Sequence, residues 1–224
     1  PVLDKGIEQI PKQINSFLKT LNEVGFSGDI HSDYKTRLIC ATDNSVYQVL
    51  PQAVLYPKNN SDIKHIFETG NQPEFKSIKY SPRGGGTGTN GQSLNNGICV
   101  DLSKHMNNII EKNIEQNWVR VQPGVVLDQL NNSLKDDQRF FAPNISTSNR
   151  ATLGGMISTD ACGQGSRIYG KTSDHILELK IMLCNGSEWL IKNINFTELN
   201  EIKSKKNILA DIYKVVDGIV SEKK

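Results

Sequence analysis

Two glycine-rich segments carry the residues best suited to chemistry. They are Pro82-Arg83-Gly84-Gly85-Gly86-Thr87-Gly88-Thr89-Asn90-Gly91 and Thr152-Leu153-Gly154-Gly155-Met156-Ile157-Ser158-Thr159. Glycine admits positive φ and lets another group approach the backbone closely. Successive N–H groups in such a turn converge on an anion as a nest. Two such segments in one chain point to an elongated ligand with a phosphate centre, such as a dinucleotide.

Part of the first segment, Gly86-Thr87-Gly88-Thr89-Asn90-Gly91, matches G-x-G-x-x-G. That pattern binds a dinucleotide in the Rossmann manner only between a strand and a helix whose N-terminus meets the pyrophosphate. A strand-like Ser77-Ile78-Lys79-Tyr80 precedes it, but Gln92-Ser93-Leu94-Asn95-Asn96-Gly97 follows, and then the strand-like Ile98-Cys99-Val100-Asp101-Leu102. No helix is expected to open there. No Gly-Lys-Ser/Thr occurs, which excludes a triphosphate P-loop. The expectation is a phosphate cradle outside the Rossmann context.

Other chemistries find little support. Cys40, Cys99, Cys162 and Cys184 form no C-x-x-C, and His31, His65, His105 and His175 show no ligand spacing, so no metal site is expected. The thiols read as free and buried in a reducing cytosol, Cys162 among them as a small filler. A net charge of +2, with both signs interspersed, gives no basis for binding nucleic acid or an anionic membrane. No apolar run is long enough to span a bilayer. The composition, 37% hydrophobic and 22% charged over 224 residues, is that of a globular chain. The chain starts at Pro1 and ends in Ser221-Glu222-Lys223-Lys224 without a signal peptide, which reads as a piece of a longer protein.

The elements that would position the glycine segments follow from periodicity. Ile7, Ile10, Ile14, Phe17, Leu18 and Leu21 recur at helical spacing, with Pro11 near the start and Gly25 as a stop. Residues 26–52 read as polar and irregular, with a turn at Asp43-Asn44-Ser45. Ala53–Tyr56 is a strand, and Ser61 caps a helix with Ile63, Ile66 and Phe67 inward, ending at Gly70. Trp118–Val121 is a strand; Leu127, Leu130 and Leu134 share a helix face; Arg139–Ala142 is a short strand. The second glycine segment opens a helix reaching Ala161. Leu177–Leu183 alternates as a strand, and Asn185-Gly186 predicts a two-residue type I′ turn into Glu188–Ile191. Ile208, Leu209, Ile212, Val215, Val216 and Ile219 line a last amphipathic helix. Irregular alternation with hairpins predicts an α+β fold.

In order along the chain, Ala53-Val54-Leu55-Tyr56-Pro57, Arg83-Gly84-Gly85-Gly86-Thr87-Gly88, Val121-Gln122-Pro123-Gly124-Val125, Ala151-Thr152-Leu153-Gly154-Gly155 and Tyr169-Gly170-Lys171-Thr172-Ser173-Asp174 stand in a familiar sequence. This series resembles the FAD-binding domain of the vanillyl-alcohol-oxidase and p-cresol-methylhydroxylase (PCMH-type) superfamily. Within it the chain is similar to FAD-linked D-2-hydroxy-acid dehydrogenases acting on D-2-hydroxyglutarate, D-lactate or glycolate. Thr87–Gln92 and Ser146–Thr152 are nearest to long bacterial members that oxidise D-2-hydroxyglutarate and carry a C-terminal iron–sulphur region.

The resemblance implies a two-lobed PCMH-type domain with small mixed sheets flanked by helices. Residues 1–50 would be a helix and lead-in, 51–195 the FAD domain with lobes at about 51–105 and 106–195, and 196–224 a helix leading to a missing substrate domain. It implies that Pro82, Arg83, Gly84, Gly85, Gly86, Thr87, Gly88 and Thr89, with Gly91 and Gln92 next, hold the FAD pyrophosphate. Pro143, Thr147 and Ser148 would line the flavin and adenosine, and Thr152, Gly154, Gly155, Ser158 and Gly163 would form a second cradle. Thr87 occupies the position where some relatives carry a flavin-linked histidine, so non-covalent FAD is implied. Cys162 stands where many relatives have a second glycine, and no contact is carried over to it.

The implied function is oxidation of a small D-2-hydroxy acid by hydride transfer to flavin N5, with a separate electron acceptor. Any 4Fe–4S cluster would lie in the missing C-terminal part. The chain alone would be inactive. A cytoplasmic location is implied, or one peripheral to the inner membrane for the full-length protein. Two alternatives stand beside this reading: a reductase of the UDP-N-acetylenolpyruvoylglucosamine reductase type, and a non-catalytic nucleotide-binding module. Asp43 and Tyr47 read as turn residues, His175 as a hydrogen-bonded structural histidine, and Trp118 and Trp189 as core or hairpin aromatics. Gly85→Val is expected to abolish FAD binding in a folded domain, and Gly97→Val to spare it.

Overall fold

The helix α1 (Lys12–Glu23) begins directly after Pro11, whose fixed φ and missing donor suit a helix start. Ile14, Phe17, Leu18 and Leu21 are its buried face. It ends at Gly25, with φ +89°, where the Gly25 N–H bonds the Asn22 carbonyl and the Phe26 N–H bonds the Leu21 carbonyl, at 3.2 and 3.3 Å. The computed structural model describes residues 10–222, so Ile7 and the terminal Pro1, Lys223 and Lys224 lie outside the described residues. The chain forms two units, one ending at His175 and the other beginning at Ile176.

The first unit holds a four-stranded mixed sheet in the order β1-β2-β4-β3. Strand β1 (Asp29–His31) is antiparallel to β2 (Ala53–Tyr56), while β4 (Ile98–Asp101) runs parallel to both β2 and β3 (Tyr80–Arg83). The central strands β2 and β4 are covered on both faces, so they read as continuous apolar runs. Helix α3 (Asn60–Gly70) is capped by the Asn59 side chain rather than by Ser61. The reason is Asp62, buried in the first turn, which accepts the N–H groups of Ser27 and Lys58 at 2.7 and 2.8 Å and fixes where the helix starts. Phe17, Leu55, Ile66, Phe75 and Ile98 fill the core between sheet and helices.

Between β1 and β2 lies α2 (Tyr34–Ile39), capped by Asp33, where an irregular segment was expected. Its inward residue is Arg37, whose Nε donates to the Pro51 carbonyl at 2.7 Å. Past β4, the antiparallel pair β5 (Ile109–Asn113) and β6 (Trp118–Val121) packs with α4 (Leu127–Leu134) around Val125, Leu130 and Met156. Arg139–Ala142 is not a strand: among the described residues it has no partner strand, and the Phe141 N–H is taken by the Asn131 side chain at 2.8 Å. Helix α5 (Leu153–Ser158) stops before Ala161, because Asp160 turns to φ +46°. A short α6 (Ser166–Tyr169) and a 3₁₀ turn at Thr172–His175 close the unit. His175 Nε2 meets the Tyr169 carbonyl at 2.6 Å.

The second unit is a hairpin, β7 (Glu178–Met182) with β8 (Glu188–Lys192), followed by α7 (Phe196–Ser204) and α8 (Ile208–Glu222). The turn differs from the expected type I′. Of its residues only Gly186 has positive φ, +79°, and the Gly186 N–H bonds the Leu183 carbonyl at 2.8 Å. This is a three-residue connection with glycine in the left-handed position. Trp189 is half-buried with its Nε1 on Ser187 Oγ at 2.9 Å. Cys40 and Cys99 are buried, but Cys162 and Cys184 are exposed, which corrects the reading of Cys162 as a buried filler.

Candidate functional site: a glycine loop wedged on a second glycine segment

The first glycine loop leaves the sheet at β3. An edge strand tolerates Pro82, which offers no N–H to a ladder. No helix follows Gly91; the loop runs irregularly to Gly97 and enters β4. Among the described residues, no protein acceptor takes the backbone N–H groups of Gly84, Gly85, Gly86, Thr87, Gly88 or Thr89. Most of this stretch is only part-exposed. Backbone donors in such places are normally paired, and a run of free ones is the arrangement an anion nest presents. Gly86 and Gly91 hold φ of +61° and +73°, where a side chain would be strained. The Gln92 Oε1 takes the Asn90 N–H at 3.1 Å and braces the far end of the loop.

The second segment meets the first directly. A Cβ on Gly84 would land on Thr152 Oγ1, and one on Gly85 would land on the Arg150 carbonyl oxygen. These glycines therefore serve loop-on-loop packing as well as any ligand. The N–H groups of Leu153 and Gly154 are themselves bonded, to the Val125 and Pro123 carbonyls at 2.8 and 2.9 Å, and Thr152 Oγ1 takes the Gly155 N–H at 3.4 Å. The second segment is thus a shelf under the first loop, with fewer free donors than a cradle would have. Gly154 packs on Pro123 and Gly163 on the Asn144 carbonyl. Pro143 is buried, the Thr147 carbonyl takes the N–H groups of Arg150 and Ala151, the Ser148 carbonyl takes that of Asp128, and Ser158 Oγ bonds Gly154. Their bonds fall within the second segment and its neighbours.

Arg83 is committed elsewhere. Its Nη2 donates to the Thr42 carbonyl at 2.8 Å, and Nη1 reaches the Cys40 carbonyl at 3.5 Å and Ser93 Oγ at 3.4 Å. Ser93 Oγ in turn donates to Asp43 at 3.2 Å, and Asp43 accepts the Ser45 N–H at 2.8 Å. Burial would raise the Asp43 pKa, but these hydrogen bonds and the Arg83 charge outweigh it and hold the carboxyl below its usual range. Tyr47 lies against Gly91. The lead-in residues 40–48 are therefore latched to the glycine loop. Asp43 and Tyr47 do more than form a surface turn. The chemical signal was present in Arg83, Asp43 and Ser93, but only the fold brings them together.

A second ionic cluster ties β1 to the segment after β4. Asp29 Oδ2 is 2.7 Å from both Lys104 Nζ and His105 Nε2. Hydrogen bonds from Lys104 and then His105, against a small burial effect, pull its pKa down to about 2. Among the described residues, no group of His, Cys, Asp or Glu could hold a metal ion, and no helix is long and apolar enough to cross a membrane.

Fold and site together define a small α+β domain with an amide-lined glycine loop. The family described as FAD binding domain matches residues 51–190, and the chain belongs to that family. It is 54% identical over 208 residues to the D-2-hydroxyglutarate dehydrogenase of Haemophilus influenzae, covering 89% of this chain and 20% of that protein. It is 56% identical over 181 residues to the enzyme of that name from Escherichia coli, covering 81% of this chain and 18% of that protein. The chain thus spans about a fifth of the length of these relatives. Among solved structures, alkyldihydroxyacetonephosphate synthase superposes with a TM-score of 0.70 at 17% identity, over 85% of this chain and 41% of that one. That likeness shows the fold, the α+β architecture expected from the sequence.

Proposed function

We propose that this chain is the FAD-binding part of a dehydrogenase that oxidises a D-2-hydroxy acid, with D-2-hydroxyglutarate as the first candidate. The observation that carries the reading is the run of N–H groups from Gly84 to Thr89 that have no acceptor among the described residues. Such a row fits the pyrophosphate of FAD, the negatively charged middle of the cofactor. Bound there, FAD supplies a two-electron acceptor for the hydroxy acid. The chain's own residues bind and orient. Gly84–Thr89 hold the phosphates, with Gly91 and Gln92 at the loop's far end. Thr152 and Arg150 support the loop from beneath. Thr147, Ser148, Gly155 and Ser158 belong to the wall beside it. Thr87 offers no nucleophile of the histidine kind, so attachment is non-covalent. The substrate clamp, the proton-accepting base, the electron acceptor and an iron–sulphur region belong to the rest of the longer protein. A cytoplasmic location is part of the same proposal.

FAD titration followed by flavin fluorescence tests the cofactor, and acid precipitation tests its attachment. Flavin is expected to saturate one site and to leave entirely with the acid supernatant. Colour retained in the pellet overturns the non-covalent assignment. Anaerobic addition of D-2-hydroxyglutarate to the longer protein is expected to bleach the flavin bands; an unchanged spectrum with this acid refutes it as the substrate.

A further inference from the structure

Cys40 and Cys99 play no part in the proposed cofactor site. Cys99 lies on β4 opposite Val54 of β2, and Cys40 is the C-cap of α2. Their accessibilities are 1% and 3%, and the two pack together with Val54 and Tyr56 in a small cluster of their own. An isolated buried thiol is an inert, small hydrophobe. These two are not isolated: they are the two thiols of one buried three-residue cluster, with Val54 as its third member. The arrangement is also next to a cation, since Arg83 Nη1 reaches the Cys40 carbonyl at 3.5 Å.

We propose that Cys40 and Cys99 are an oxidative modification site, converted by a hydroperoxide into a disulfide that fixes the end of α2 to β4. Cys40 is the attacking sulfur. Its thiol pKa is held down by the hydrogen bond from Cys99, against burial and with help from the Arg83 charge, whereas the same bond and burial push Cys99 up. In the first step the Cys40 thiolate takes the distal oxygen of the peroxide. The O–O bond breaks, Cys40 becomes a sulfenic acid, and the other oxygen leaves as water or alcohol. In the second step the Cys99 sulfur attacks Cys40 and displaces the hydroxyl, which departs as water with the Cys99 proton. Two thiols and one hydroperoxide thus give one disulfide, with water and water or alcohol. The S–S separation must close to about 2.05 Å. That closure moves Cys40, whose carbonyl Arg83 holds, so the change reaches the latch beside the glycine loop.

The experiment uses the intact polypeptide. Exposed Cys162 and Cys184 are first alkylated under native conditions; the protein then receives a stoichiometric dose of hydrogen peroxide, and peptides are mapped by mass spectrometry without reduction. The expected product is a Cys40–Cys99 linked peptide that reductant separates. In Cys99→Ala, dimedone is expected to trap Cys40 as the sulfenic acid, with no linked peptide. The proposal is overturned if Cys40 and Cys99 are both recovered as thiols at a dose that oxidises Cys162 and Cys184 in an unblocked sample. The wild-type map decides the matter even if the variant does not fold.

Discussion

Replacing Arg83 with methionine separates two roles that the sequence leaves superposed. The resemblance puts this residue on the cofactor; the geometry puts its guanidinium on the lead-in segment. The 2.8 Å bond to the Thr42 carbonyl is the strong contact, and those to Cys40 and Ser93, at 3.5 and 3.4 Å, are weaker. A hydrogen bond from a charged group contributes roughly 1.5–3 kcal/mol. Arg83 is half-buried, so about 2 kcal/mol is the expected loss. In a domain of this size that lowers Tm by roughly 4–8 °C. FAD affinity falls only as far as the loop departs from its binding-competent form, which for a partly released latch is about tenfold or less.

Removal of a direct phosphate partner predicts the reverse pattern. Truncating one side of a buried charged contact costs about 2–5 kcal/mol of binding, roughly 30-fold to several thousandfold, with little change in the unliganded protein. The assays are thermal melts without FAD and FAD titrations, on Arg83→Met, Ser93→Ala and the double variant. Ser93 and Arg83 share one network, so their stability losses are expected to be non-additive. An unliganded Arg83→Met protein that melts as the parent does, while its FAD affinity falls over a hundredfold, would refute the latch.

Three further outcomes follow from named contacts. Gly97→Val, expected from sequence to spare FAD binding, would put its Cβ on the Lys79 carbonyl oxygen beside β4, so it should lower Tm without FAD, as Gly85→Val should through the Arg150 carbonyl; overpacking of this kind costs about 1–3 kcal/mol. Equal melting of Gly97→Val and the parent would contradict the packing. Asp29 has its pKa lowered from 3.8 to about 2, so its contribution is fully present above pH 3.8 and is lost as pH falls through 2. Asp29→Asn should therefore melt below the parent at pH 6, with the gap closing near pH 2; a gap that persists unchanged there counts against the cluster. Finally, the FAD-loaded 224-residue chain should keep its oxidised spectrum with D-2-hydroxyglutarate, and rapid bleaching would place the substrate clamp within it.

What could be read from the sequence was whatever carries an apolar period or run. The helices α1 and α4 and the strands β2 and β4 announce themselves this way and bury those residues; α8 shows the same period but buries only Ala210, with Ile212, Val215, Val216 and Ile219 exposed. The elements that escaped have other supports. Helix α2 turns a charged residue, Arg37, inward to a carbonyl. Helix α7 buries none of its residues and stands on a capping box between Asn195 and Glu198. Strand β5 carries Glu111, Lys112 and Asn113 in mostly exposed positions. Strand β1 has only three residues, too few for a period to show. Conversely, Arg139–Ala142 has strand-like side chains but no strand beside it.

The glycine segments show a different limit. Glycine is demanded either by a ligand or by another piece of chain, and the residue type is the same in both cases. Here the two demands divide along the loop. Gly84 and Gly85 face Thr152 and Arg150, and in the second segment the N–H groups of Leu153, Gly154 and Gly155 are taken by the Val125 carbonyl, the Pro123 carbonyl and Thr152 Oγ1. The stretch from Gly84 to Thr89 keeps its donors free while Arg83, Gln92 and the shelf beneath hold its shape. Fixing free donors in place before the ligand arrives reduces the ordering cost of binding. With FAD in the proposed site, the second glycine segment would contribute to affinity chiefly by keeping the first one still, so variants at Arg150 and Thr152 should act on the unliganded loop before they act on FAD.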